Sequence, residues 1–345
     1  MPFVLNPLTF QTELEESHGC NYRKASSTLI INRQKKVLIF YLCRKNQYMN
    51  SLPAEHNFLG IEDESLYSYT DSKVVIQPVP YEYTSSYLMG SAKGPEAIIK
   101  ASQFVEFYDE ELDTETINKT GIATLPALDF TGKVDADAID LIEESTAALI
   151  NDGKFVVSLG AEHTVTYGFV KAHARKYPNL TVLQIDAHSD LRYSYHDNIY
   201  SHASVMHRIH DMGINICQAG IRAQCIEEAT LIKGSANIHT AYAHQIRTNP
   251  NWISELVANM TDNVYITIDA DGFDPSIMPA VGTAEPNGLF WNETLDLLRT
   301  VCKERNVVGF DIVECAPMEG SILSEYTLAK LAYRLMGYVF SKNTH

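Results

Sequence analysis

Short runs of apolar, mostly β-branched residues recur along this chain, separated by stretches long enough for a helix, and that alternation admits few folds. Val74-Val75-Ile76 and the runs opening at Phe155, Thr181, Ile214, Val264 and Val307 have the make-up of buried strands. Between them the periodicity predicts helices over Pro95–Ser102, Ala138–Asn151 and Ser324–Phe340, with others in the remaining gaps. Strands that are apolar on both faces need cover on both, and parallel neighbours need a crossover that a helix supplies. The expectation is an α/β protein of three layers, αβα, around a central, mostly parallel sheet. Sheets of that kind place their sites beyond the carboxyl ends of the strands, so chemistry is expected from the residues that close each run.

Those closing residues are rich in carboxylate and imidazole. Asp186-Ala187-His188-Ser189-Asp190 follows Thr181–Ile185, Asp269-Ala270-Asp271 follows Val264–Ile268, and His163 follows Phe155–Leu159 across Gly160-Ala161-Glu162. In extended backbone, residues i, i+2 and i+4 point to one side, which would gather Asp186, His188 and Asp190 on one face and likewise Asp269 and Asp271. Taken singly each segment has a plainer reading, because Asp is common in the turns that follow strands. Together, four carboxylates at the ends of buried strands are too costly to accumulate unpaired.

An oxygen-rich donor set without thiolate suits Mn²⁺ better than Zn²⁺, with Ni²⁺ as an alternative that imidazole also accepts. Six side chains exceed what one catalytic ion takes, so two ions about 3.5–4 Å apart, sharing carboxylates and a water, fit better. Two flanking dications draw the pKa of that water down from about 15.7, which makes the site a hydrolase. With a bridging hydroxide such a cluster is net negative; it repels phosphate esters and tolerates a cation such as guanidinium. The departing amine must be protonated, and a mobile histidine could supply that proton.

Five segments then resemble the motifs of the ureohydrolases, the family of arginase and agmatinase. They are Gly160-Ala161-Glu162-His163-Thr164, Asp186–Asp190, Ser201-His202-Ala203-Ser204, Asp269-Ala270-Asp271-Gly272-Phe273-Asp274-Pro275, and Asp311-Ile312-Val313-Glu314-Cys315-Ala316-Pro317. The resemblance runs from about Leu52 to the end of the chain. It implies that His163, Asp186, Asp190 and Asp269 hold one manganese, and Asp186, His188, Asp269 and Asp271 the other, with Asp186 and Asp269 bridging. It further implies that Asp190 steadies the bridging hydroxide, that His202 shuttles protons, and that Glu314 pairs with the guanidinium. Asp274 is expected to brace the site rather than bind metal, because Gly272 and Phe273 turn the chain before it.

Smaller features point within the family to agmatinase, which cleaves agmatine to putrescine and urea. The loop Gly282–Leu289 resembles the agmatinase version, with Glu285 a candidate for tail preference, and Pro80–Tyr87, Gly94–Ile98 and Tyr108–Asp113 look like its amino-terminal signature. No basic cluster suited to an amino-acid carboxylate is evident. Ala161, and Ala203-Ser204 after His202, depart from the family's usual residues, the second at the pocket mouth. Relatives with the same ligands use guanidinobutyrate, guanidinopropionate, arginine or guanidine, so these remain alternatives, as does a catalytically silent metal-binding member.

Lys and Arg total 27 against 43 Asp and Glu in 345 residues, a net charge of −16, which argues against a nucleic-acid or anionic-membrane partner. The six cysteines form no Cys-x-x-Cys pair, as expected of a reduced, cytoplasmic protein. The longest early apolar run, Val37–Cys43, falls far short of the ~20 residues that span a bilayer, and neither secretion nor anchoring is expected. Residues 51–345 are expected to form the catalytic domain. Residues 1–50 are an extension, either a hairpin of Thr28–Ile31 with Val37–Leu42 around Asn32–Lys36, or a segment bypassed by an alternative start at Met49. Family habit implies a homotrimer or homohexamer.

Overall fold

The computed structural model describes residues 50–341; the hairpin expected around Asn32–Lys36, and Met49, lie outside the described residues. The described strands are β1 (Val74–Val79), the two-residue pair β2 (Tyr108–Asp109) and β3 (Thr114–Glu115), β4 (Ile122–Thr124), β5 (Phe155–Gly160), β6 (Leu180–Ile185), β7 (Asn215–Ile221), β8 (Ile238–Tyr242), β9 (Asn263–Asp269) and β10 (Asn306–Val313). All but β2 and β3 join one parallel sheet of eight strands, in the order β4-β1-β5-β10-β9-β6-β7-β8. The six strands expected from apolar runs are present. The two missed are the edges: β4 is three residues long, and β8, Ile-His-Thr-Ala-Tyr, is only half-buried, so neither leaves a continuous apolar run.

Alternation along each strand divides the core into the two outer layers. Ile76, Leu159, Leu183, Ile266 and Ile312 face one way and pack with the helices Gly94–Ser102, Trp252–Ala258, Trp291–Glu304 and Leu323–Ser341. Val182, Ile216, Tyr265 and Val313 face the other way, against Asp135–Asn151, Thr166–Lys176 and Val205–Asp211. Each fully buried Val, Leu or Ile contributes roughly 1.5–3 kcal/mol of transfer free energy, which holds both layers to the sheet. The expected three-layer αβα fold is therefore observed. No helix among the described residues is long and apolar enough to cross a membrane.

One rung of the second face is polar. Gln77, Ser158, Asp311, Thr267, Gln184, Gln218 and Thr240 stand in register across seven neighbouring strands, and all but Thr240 are buried. Buried polar groups must find partners, and these largely find one another, one step below the strand ends where the acidic residues begin.

Candidate metal centre

Three strand ends deliver the six side chains, by turn chemistry rather than by continued extension. β6 stops at Ile185; beyond it Asp186 Oδ1 accepts the His188 N–H at 2.6 Å, and Asp190 adopts a left-handed conformation with φ 52°. Beyond β9, Ala270–Gly272 is a 3₁₀ turn in which Asp269 Oδ1 accepts the Asp271 N–H at 2.8 Å. The i, i+2 alternation expected through these motifs is thus replaced by side-chain-capped turns, which bend the ligands inward. Gly272 permits the two turns to touch: a Cβ there would come within 2.7 Å of the Asp186 main-chain nitrogen.

The six side chains meet. His163 Nδ1 lies 3.0 Å from Asp186 Oδ2, 3.0 Å from Asp190 Oδ2 and 3.3 Å from Asp269 Oδ2. His188 Nδ1 lies 3.0 Å from Asp271 Oδ2 and 3.7 Å from Asp186 Oδ1. Two donor groups result, His163–Asp186–Asp190 and Asp186–His188–Asp271, with Asp186 common to both.

Burial, and then the neighbouring Asp186, push the Asp190 carboxyl up to about 7, while burial, Asp271 and Asp186 push Asp269 well above the ordinary carboxylate range. Among the described residues no lysine or arginine forms an ion pair with the four carboxylates. His163 Nδ1 is buried without a hydrogen bond although three carboxylate oxygens surround it. A lone pair aimed at a cluster of anions is satisfied by a cation between them, so these residues fit two hard divalent ions.

The polar rung sets the aim of two of these side chains. Asp311 is acceptor-only when ionised, and takes the hydroxyls of Thr267 and Tyr265 at 2.7 Å each and that of Thr166 at 3.2 Å. Thr267, having donated, accepts from His163 Nε2 at 2.9 Å; that assigns the ring proton to Nε2 and leaves Nδ1 free for a cation. A second chain runs from Thr240 to Gln218 (2.8 Å), from Gln218 to Gln184 (2.6 Å) and from Gln184 Nε2 to Asp186 Oδ2 (2.7 Å). Behind both, the Arg222 guanidinium donates to the carbonyls of Gly220, Asp271, Gly272, Phe273 and Glu285, tying the β7 and β9 ends to the 282–288 loop.

The centre forms the floor of a cavity of about 220 Å³ that His202, Glu314, Arg192, Tyr195 and Ser85–Leu88 also line. Glu314 follows β10 in a left-handed conformation, φ 62°, and its Oε1 accepts the His163 N–H at 2.7 Å. Burial, and then Glu162, raise its carboxyl well above the ordinary range. His202 Nδ1 is 3.2 Å from Thr84 Oγ1 and Nε2 3.3 Å from Ser86 Oγ; burial, then His188 and His163, hold its pKa down to about 4. Thr84 is itself fixed, because Glu162 Oε2 accepts the N–H groups of Tyr83 and Thr84 at 3.0 and 2.6 Å.

Glu285 is not among the residues lining the cavity; Gly282 and Thr283 of its loop are, with Thr283 Oγ1 3.2 Å from Asp271 Oδ2. Asp274 braces that loop, accepting from Ser276 and from the Gly288 N–H at 3.0 Å. Of the two departures after His202, Ala203 lines the cavity and Ser204 is buried. Sequence reasoning missed Thr84, Glu162, Tyr195, Arg222, Thr267 and the part played by Asp311. Glu162, Asp311 and Thr84 stand inside quoted motifs without a role of their own, and Thr267 carried no signal, since a Thr inside an apolar run reads as an ordinary strand residue.

A model of the arginase family matches residues 72–337. The N(1)-aminopropylagmatine ureohydrolase of Synechocystis sp. is 45% identical over 284 residues, covering 81% of this chain and 92% of that protein. The agmatinase of Bacillus anthracis is 35% identical, covering 73% and 86%. The crystal structure of agmatine ureohydrolase of Thermoplasma volcanium superposes with a TM-score of 0.71 at 29% identity, covering 81% and 94%. A family model that matches most of the chain, and relatives this similar over most of their own length, establish that the chain belongs to the arginase family and is a hydrolase of the agmatinase type.

Proposed function

We propose that this protein hydrolyses the guanidino group of agmatine, yielding urea and putrescine, or of an amine-extended agmatine, yielding urea and the longer polyamine. The observation that carries the reading is the meeting of His163, Asp186, His188, Asp190, Asp269 and Asp271 at the base of one cavity that Glu314 and His202 also line. The extended substrate is a second reading because the 45% identical relative is an N(1)-aminopropylagmatine ureohydrolase. We assign the activity to residues 51–345, with 1–50 as an extension, and expect a cytoplasmic homotrimer or homohexamer.

Two divalent ions, Mn²⁺ with Ni²⁺ as the alternative, would be held by His163, Asp186, Asp190 and Asp269 and by Asp186, His188, Asp269 and Asp271, and would supply a hydroxide nucleophile near neutral pH. Asp190 accepts the nucleophile's proton in a hydrogen bond and so aims its lone pair at the guanidinium carbon. Glu314 pairs with the guanidinium N–H groups and holds the carbon over the floor, a charge-assisted contact that also fixes orientation. His202, neutral at pH 7 because burial holds its pKa down to about 4, takes up the proton that the water loses on becoming hydroxide and delivers it to the departing amine nitrogen as the C–N bond breaks. The Thr84 and Ser86 hydroxyls keep both ring nitrogens solvated while it does so.

Urea release by the manganese-loaded protein should be fastest, by kcat/KM, with agmatine or N1-aminopropylagmatine. Arginine, 4-guanidinobutyrate and guanidine should lag by more than tenfold. Preference for a carboxylate-tailed compound, or no release from any of them, contradicts the reading.

A further inference from the structure

The cavity is charged on its floor and aromatic at its mouth. The carboxylates that line it are Asp190, Asp269 and Asp271 of the acidic cluster and Glu314, which holds the His163 N–H; Ser86, Tyr87 and Leu88 of the lining are exposed, and Arg192 and Tyr195 half-buried. A substrate with a cation at the far end of a four-carbon tail therefore meets no lining carboxylate with that end. The tyrosine rings of the lining are those of Tyr87 and Tyr195.

Tyr195 is held there by a built turn. Its main-chain N–H and C=O exchange hydrogen bonds with Asn198, 3.0 Å each, and the two residues between, His196 and Asp197, both lie in the left-handed region with φ 49° and 61°. Neither is glycine, and consecutive left-handed side-chain-bearing residues persist only where the surroundings impose them. The surroundings do: Asn198 Nδ2 donates to Asp135 Oδ1 at 2.7 Å, and Asn198 Oδ1 accepts the Tyr200 N–H at 2.7 Å. So placed, the Tyr195 ring meets His202 at 77° with centroids 5.9 Å apart, and the Arg192 guanidinium carbon lies 5.3 Å from its centroid. The ring thus already receives a cation beside the cavity, within the range of an effective cation–π contact.

We propose that Tyr195, with Tyr87, is a specificity-determining residue whose ring face takes the ammonium of the substrate tail by a cation–π contact, Arg192 moving aside as it enters. The inference rests on the hydrolysis of a guanidino compound with a cationic tail proposed above. It makes the mouth a reader of charge through aromatic surface, and it accounts for a cationic-tail enzyme whose lining holds a cation and no tail-directed carboxylate. Arg192 then competes for the same ring face and sets how strongly the tail is held.

The test compares agmatine with pentylguanidine, in which a methyl group replaces the ammonium, on the manganese-loaded wild type and on Tyr195→Leu, Tyr195→Phe and Arg192→Met. The expected result is that Tyr195→Leu lowers kcat/KM for agmatine relative to pentylguanidine by about fivefold, that Tyr195→Phe keeps the wild-type ratio, and that Arg192→Met raises it. Because the ratio is taken within one variant, a general loss of folding cancels. Equal loss for both compounds, or an unchanged ratio in Tyr195→Leu, overturns the assignment. Calorimetric binding of the same two compounds reads the ring without turnover: a wild type that releases no urea sinks the proposed reaction, whereas binding that fails to discriminate in the same direction sinks the role of Tyr195.

Discussion

The aim of a buried imidazole is decided by what stands behind it, and for His163, proposed to hold a metal, that is Thr267 and then Asp311. Asp311 can only accept while ionised, and burial raises its pKa to about 6, so above that value the chain of donors runs one way and presents Nδ1 bare. Asp311→Asn offers an amide that donates to Thr267, which frees the Thr267 proton to face His163 Nε2 and favours the ring proton on Nδ1, where the cation must sit. Metal analysis after dialysis should show one Mn²⁺ weakened by about 10–100-fold and the other kept. In the wild type the same site should weaken as pH falls through about 6, because protonation turns Asp311 into a donor as well. Two ions held as tightly as in the wild type would refute the relay. That these six side chains come together was legible in the sequence, since they follow the ends of apolar runs, whereas Thr267 and Gln184 lie inside such runs and their register with Asp311 and Gln218 exists only once strands distant in sequence are side by side.

Among the elements, the segment from Glu82 to Ala92 touches His202 and was only partly readable. It has no regular structure before Ser91, so periodicity says nothing of it. Two carboxylates shape it instead. Glu82 accepts the N–H groups of Gly90 at 2.7 Å, Ser91 at 3.2 Å and Ala92 at 3.1 Å, and Glu162 accepts those of Tyr83 and Thr84. The segment between carries Thr84 and Ser86 to His202, so a strap fixed at both ends positions the proposed proton shuttle. Glu82→Gln puts an amide N–H₂ against main-chain N–H groups and replaces charge-assisted bonds of about 1.5–3 kcal/mol each with fewer, weaker ones. Turnover should fall at least tenfold with manganese content unchanged, and hydrogen exchange should quicken across residues 83–90. Unchanged exchange there would show that Glu162 alone holds the strap.

At the scale of the whole molecule, the alternation of strand and helix foretold the layers, yet not the spatial order, in which β10 stands between β5 and β9. Crossover rules fix handedness and cover, not which earlier strands a late strand will separate. That insertion brings Glu314 beside His163, so the active cavity depends on the last strand and on the helix Leu323–Ser341 that covers it. The helix is tied back to the β2–β3 segment through Arg334, which pairs with Asp109, Glu110 and Glu111 while its own side chain is 5% exposed. Tyr108–Asp113 resembles a family signature in sequence, and its acidic residues Asp109, Glu110 and Glu111 are the socket of that arginine. Asp109 is as buried as Arg334, and removing one partner of such a pair leaves a carboxylate without its counter-charge. Arg334→Met should therefore destabilise the fold by about 3 kcal/mol, at the lower end for broken buried pairs because Glu110 is exposed. Arg334→Met with Asp109→Asn should recover part of that loss, because the unpaired charge is gone while an amide oxygen still accepts the Glu111 and Leu112 N–H groups that Asp109 Oδ1 holds at 3.0 Å each. Denaturant unfolding of the two variants decides the point: equal destabilisation of the single and double mutants would mean that Arg334 acts through packing alone.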